Sequence, residues 1–214
     1  MNNYIGLILS YTLIGIILIF VYFLELVKLK RAYIRKFIHI SISHWWIIAM
    51  FYFDHVYFAV IPPITFLIAN IISRKFNLIK SMEEDSKTLG TIYYPISMII
   101  LTISAFGVFN RPHIGLIGIF ILAYGDGLAS IIGMAFGKTK LYRNKTVVGT
   151  LTMFIVSFTV SAIIINIYNR SVIVPSLIFA LTAALTELYS PKGTDNLSIP
   201  IVLSLLYNYI YYCY

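Results

Sequence analysis

Cysteine is all but missing from this 214-residue chain. The single one is Cys213, so no intramolecular disulfide can form and a Cys/Cys or Cys/His metal cluster is not expected. Charge is scarce as well: 11% of residues are charged, against about 25% in ordinary soluble domains, which excludes a single soluble globule. Acids are scarcest of all, with 8 Asp+Glu against 16 Lys+Arg and a net charge of +8. In a soluble protein that excess would point to nucleic acid. With 60% hydrophobic residues and a mean hydropathy of +0.89 it marks membrane orientation instead, and no nucleic-acid partner is expected. Linkers, low-complexity tracts and internal repeats are also lacking, so 1–214 reads as one transmembrane domain.

What the chain has in quantity is apolar sequence in runs of membrane length, about 20 residues each. Runs bounded by charge, Pro or Gly fall at 4–27, 37–53, 56–73, 89–108, 113–136, 148–168, 172–190 and 197–214. The expected fold is all-α, a polytopic integral membrane helix bundle of seven or eight transmembrane helices. The number turns on Asp54-His55, which joins two short runs either as a hairpin of spans or as one bent re-entrant unit. The first run reads as a retained helix, since no Lys or Arg precedes it, its apolar stretch is too long for a signal peptide and no Ala-x-Ala site follows.

With eight spans, the loops alternate in basic content. One side collects Lys28, Lys30, Arg31, Arg35 and Lys36, then Arg74, Lys75, Lys80 and Lys87, then Lys138, Lys140, Arg143 and Lys145, and finally Lys192. The other side has only Arg111 and Arg170. The positive-inside rule assigns the basic side to the cytoplasm, of the plasma or inner membrane if the source is prokaryotic. Every long polar segment lies on that side, so chemistry on a soluble substrate is expected there.

Asp126 stands inside the fifth span, about ten residues from the basic loop and so roughly 15 Å deep in a regular helix. A carboxylate at such depth costs about 2.5–3.5 kcal/mol on insertion scales, so it should face the bundle interior, a cation or a watery cavity. A purely structural, hydrogen-bonded Asp is the plainer alternative. Gly125, Ala129, Gly133 and Gly137 recur at spacing four beside it, a small stripe that lets a neighbouring backbone approach. The loop that follows holds Gly137, Lys138, Lys140, Arg143, Asn144, Lys145 and Thr146 with no acid, and Gly149-Thr150 opens the next span. Basic side chains, hydroxyls and a helix N-terminus make an anion site, although a solvated positive-inside loop explains the charge equally well. The run Gly133 to Thr139 imitates a Walker A motif but has three residues between its glycines instead of four, and follows an apolar helix; it is not a P-loop.

Arg31, Arg35 and His39 fall at i, i+4 and i+8, one helix face entering the membrane from the basic side. On such a face a His competes for phosphate binding or proton transfer, whereas a lone membrane His more often packs. His44, beside Trp45 and Trp46, reads as packing; His55 and His113 fall near the other side. Glu83, Glu84 and Asp85 form an acidic run that could hold Mg²⁺ or simply be solvated, and Glu187 with Asp195-Asn196 adds carboxyl groups on the same side. Acidic and basic groups therefore converge on one face, as a metal-nucleotide site requires.

These residues resemble those of the polytopic dolichol kinase, phytol kinase and CTP-dependent diacylglycerol kinase family. The resemblance lies in Arg35-Lys36-x-x-His39, Leu89-Gly-Thr-x-Tyr-Tyr-Pro95, Gly125-Asp126-x-x-Ala129 with Gly133 and Phe136-Gly-Lys138, Asn144-Lys-Thr146 with Gly149, and Glu187 with Asp195-Asn196 and Pro200. It runs from residue 35 to 200. The family pattern commonly has Ser and Glu where this chain has Thr146 and Val148, and Arg where it has Met134; the lost acid bears on the metal and the nucleotide preference.

The resemblance implies transfer of a phosphoryl group from CTP, or ATP, with Mg²⁺, to the hydroxyl of a lipid alcohol in the bilayer. Asp126 and His39 are then the expected catalytic residues. Arg35, Lys36, Gly137, Lys138, Lys140, Asn144, Lys145, Thr146 and Gly149 are expected at the nucleotide, and Asp126, Glu187 and Asp195 at the metal. Two rivals stand beside this expectation: a phosphatidate cytidylyltransferase-like enzyme making a CDP-lipid, and a transporter using Asp126 as an ion or proton relay.

Overall fold

In a computed structural model, residues 2–76, 89–168, 171–191 and 193–212 are described. The acidic run at 83–85, with Lys80, Lys87, Arg170, Lys192 and Cys213, lies outside them. The described chain is helical except for one small hairpin. Helix α1 (Asn3–Leu26) starts where the Asn2 side chain accepts from the amides of Tyr4 and Ile5, and stops at Lys28, whose positive φ of 55° breaks the helix. Then follow α2 (Arg31–Ser43), α3 (Trp45–Tyr52), α4 (Val56–Ala59), α5 (Ile61–Phe76) and α6 (Gly90–Thr102), which continues as a π-helical turn, π1 (Ile103–Val108). Helix α7 (Ile114–Phe120) runs through a second π turn, π2 (Ile121–Asp126), into α8 (Gly127–Phe136). The antiparallel hairpin β1 (Lys140–Tyr142) and β2 (Lys145–Thr146) leads to α9 (Val147–Ile167), α10 (Ile173–Tyr189) and α11 (Asp195–Tyr212).

Five of these stretches are long and apolar enough to cross a membrane: Asn3–Leu26, Val56–Phe76, Gly90–Val108, Ile114–Phe136 and Val147–Ile167. They match the expected spans to within a few residues. Ile173–Tyr189 is a shorter apolar helix. The expected span 37–53 is the α2–α3 pair, broken at His44. There the imidazole Nδ1 lies 3.0 Å from the Ile40 carbonyl and Nε2 lies 2.9 Å from the Tyr124 hydroxyl. Helices α2 and α5 line one cavity through His39 and Asn70, so the 53–55 turn joins two arms that leave that cavity and return to it. Asn3 Nδ2 holds Asp54 at 2.5 Å, pinning this turn to the start of α1.

The small stripe beside Asp126 is the seam between α8 and α9. A Cβ on Gly133 would stand 3.5 Å from Gly149 Cα and 3.2 Å from Thr146 Oγ1, so the two helices meet nearly backbone to backbone. Trp46 is fully buried; its ring fills the space a side chain at Gly115 would need, and its Nε1 donates to the Pro112 carbonyl at 2.9 Å. Replacing Gly133 by Leu should therefore force α8 from α9 and cost about 1–3 kcal/mol of stability. Gly15→Ala, where a Cβ meets nothing within 4 Å, should cost none. Thermal unfolding in detergent checks both.

Candidate functional site

The N-terminal half of α2 is amphipathic, and two of its basic residues, Arg35 and Lys36, turn inward. Arg35, Lys36 and His39 all line a cavity of about 270 Å³, walled on other sides by Asn70 of α5, Tyr94 of α6 and Asp126. Its mouth is formed by loops: Asn144 and Lys145 from the hairpin, and Gly193 and Asp195 before and at the start of α11. Arg31, the third residue of the predicted face, stays exposed outside it.

Asp126 closes π2. A π turn carries an extra residue, which rotates the following side chains relative to a regular helix and is found often at functional sites. Here it leaves Asp126 with 4% of its surface exposed, accepting from Lys36 Nζ at 2.5 Å. Lys145 reaches across the mouth to Glu187 of α10 and, at 3.4 Å, to Asp195. Burial disfavours the lysine's charge, but Asp126, Asp195 and Glu187 outweigh it and hold its pKa above the ordinary value. The Asp195 carboxyl is also raised, by burial first and then by the charge of Asp126, which for an acid disfavours the charged form. Asp195 also accepts from the Asn196 amide at 3.0 Å, and Asn196 Nδ2 in turn donates to the Gly193 carbonyl at 3.1 Å.

His39 stacks on Tyr94 with ring centroids 4.1 Å apart, and its Nε2 is buried with no hydrogen-bond partner among the described residues. Glu187 Oε2 is likewise buried and unpartnered. No three His, Cys, Asp or Glu side chains among the described residues come close enough together to hold a metal ion. All three predicted metal carboxylates are held by lysines, Asp126 by Lys36 and both Glu187 and Asp195 by Lys145, with Glu187 Oε2 left over. Carboxylates of this kind are the ligand type that Mg²⁺ takes, one or two at a time, with water and phosphate oxygens completing its shell.

The remaining sequence-predicted residues sit apart from the cavity. Lys138 and Lys140 are exposed. Thr146 caps α9, its Oγ1 accepting from the Gly149 amide at 3.1 Å, and Gly137 caps α8 with its amide on the Gly133 carbonyl at 3.0 Å. Sequence reasoning also gave no role to several lining residues. Asn70 and Ser130 are polar residues within apolar helices, the signal that singled out Asp126, and Ser130 lies one turn from it. Asn70 Nδ2 donates to the Thr91 carbonyl at 2.8 Å.

A phytol kinase of Synechocystis sp. is 28% identical over 207 residues, which cover 92% of this chain and 88% of that protein. Phytol kinase 1 of Arabidopsis thaliana is 29% identical over 153 residues, 66% of this chain and 50% of that protein. An uncharacterised protein of Methanocaldococcus jannaschii is 35% identical over 142 residues, 65% of this chain and 67% of that protein. Over nearly its whole length the chain is similar to a phytol kinase, and the phytol kinase relatives support a lipid kinase. No family model matches the sequence, and no solved structure matches the fold.

Removing Lys145 leaves two carboxylates beside each other in a poorly solvated mouth. Lys145→Met should lower stability by about 3 kcal/mol, and adding Glu187→Gln should restore at least half of that. Because the Asp195 pKa is raised in the fold, its ionisation opposes folding above that pKa and the penalty fades as pH falls. The loss in Lys145→Met should thus be smaller at pH 5 than at pH 8 in chemical denaturation.

Proposed function

We propose that this cavity transfers the terminal phosphoryl group of CTP or ATP to the hydroxyl of an isoprenoid alcohol such as phytol, at the cytoplasmic face of a seven- or eight-span bundle. The observation that carries this reading is the charge arrangement around the cavity. Arg35, Lys36 and Lys145 face Asp126, Glu187 and Asp195, in a protein similar over nearly its whole length to a phytol kinase.

Phosphoryl transfer asks a protein mainly for positioning and charge neutralisation. The lysines now satisfy the carboxylates; an entering triphosphate offers the lysines better partners. Glu187 and Asp195 would hold Mg²⁺, which would neutralise charge on the phosphate oxygens. Lys145 and Arg35 bind phosphate at the mouth, and Asp126 aims Lys36 inward. The alcohol oxygen attacks the terminal phosphorus, the bond to the nucleoside diphosphate oxygen breaks, and the hydroxyl proton leaves. His39 Nε2, buried and without a partner, takes that proton. Two of the predicted nucleotide residues, Lys138 and Lys140, would reach the nucleotide only by movement of the hairpin.

Neither rival gains from the relatives that carry a functional name, which are phytol kinases. A phosphate contact by Lys145 requires that Lys145→Ala raise the nucleotide KM about tenfold or more, beyond any effect on the alcohol. A base at His39 requires His39→Gln to lower kcat by about 10²-fold or more. Asp126→Asn should lower kcat strongly in folded protein. Steady-state kinetics in nanodiscs decide; full activity in both His39→Gln and Asp126→Asn would remove the cavity from the chemistry.

A further inference from the structure

A phytol-like substrate is polar at one atom and hydrocarbon elsewhere, so a site for its hydroxyl needs a dry route to the bilayer. The cavity turns apolar at its inner end, where Ile38, Ile42 and Phe66 contribute to the lining. Ile42 and Phe66 are also walls of a second cavity, whose far side is Leu13 and Ile14 of α1 with Trp45 and Met98. Those two side chains therefore have the charged cavity on one side and a hydrocarbon seam on the other. The single polar atom of the Trp45 ring is already satisfied, since Nε1 donates to Ser10 Oγ at 2.9 Å.

The seam is closed down to about 10 Å³, so a chain can occupy it only if α1 parts from α5. Helix α1 is suited to that, because only 17% of its apolar window is buried and a Tyr11–Thr65 hydroxyl contact of 3.2 Å is a tie that a lipid could replace. A roomier cavity of about 100 Å³ lies between α6 and α11 but shares no lining residue with the charged one. A tail there would leave its hydroxyl away from Asp126 and His39.

We propose that the seam between α1 and α5 receives the hydrocarbon tail of the alcohol, and that Phe66, at the junction, sets which tails are accepted. This rests on the lipid kinase reading above and adds to it the path and a specificity-determining residue. The carbons nearest the hydroxyl pass between Ile42 and Phe66, and the rest of the tail runs along Leu13 and Ile14 toward the bilayer.

The test uses the full-length protein in nanodiscs with a C20 isoprenoid alcohol carrying a diazirine near its tail end. After irradiation, peptide mass spectrometry should place the label on Leu13, Ile14 or Met98, and excess unlabelled C20 alcohol should compete it away. In parallel, Phe66→Trp, and Ile14→Trp from the opposite wall, should lower the ratio of kcat/KM for a C20 over a C10 alcohol by about tenfold. A nucleotide KM close to wild type in both variants shows that they fold. Competable label at the α6–α11 cavity, or an unchanged C20/C10 ratio in both variants, overturns the seam while leaving the kinase in place. Competable label in the seam without phosphoryl transfer overturns the kinase reading and leaves the seam.

Discussion

Charge placed inside an apolar bundle must be compensated there, because taking one ion out of water costs several kcal/mol even after relaxation. Two lysines meet that requirement. Lys36 binds α2 to the π turn that carries Asp126, and Lys145 binds the hairpin to α10 and α11 through Glu187 and Asp195. The segments bearing most of the basic residues are thereby drawn around one cavity. Hydrophobic replacements would stabilise such positions as well or better, so the pairs are better explained by use than by stability. In the proposed reaction they are exchangeable: a triphosphate and its cation would supply each member with a new partner of the right sign.

The second constraint is the substrate's own asymmetry. A lipid alcohol needs polar and apolar surroundings within a few ångströms of each other, and the wall made by Ile42 and Phe66 has both. On the other flank of Asp126, contact across Gly133 and Gly149 holds α9 close to α8, and the hairpin before α9 brings Asn144 and Lys145 to the mouth. Packing and chemistry are thus shared out along the same short helices.

Much of this was legible in the sequence. Hydropathy located the long helices because a membrane helix announces itself by apolar length alone, and the depth of Asp126 marked the cavity before any geometry was known. Of the face predicted from the spacing of Arg31, Arg35 and His39, the last two line the cavity and Arg31 stays exposed. Other features were hidden for physical reasons. The start of α2 at Arg31 precedes its apolar run, since its first turns are amphipathic. The partner of Asp126 is Lys36, 90 residues away, and no local pattern reports such a pairing. The π turns depend on tertiary packing and have no composition of their own. Thr146 and Gly149, which suit an anion site by residue type, are engaged in a helix cap and a helix contact, roles that the same residue types suit equally.

The central claim is that this cavity moves a terminal phosphoryl group onto a lipid hydroxyl. It is tested most directly by giving the purified protein phytol and CTP or ATP labelled at either the α or the γ phosphate, then separating lipid from nucleotide. The account predicts that γ label alone enters the lipid, with nucleoside diphosphate as the other product. Entry of α label with release of pyrophosphate, or no labelled lipid from either nucleotide, would contradict it.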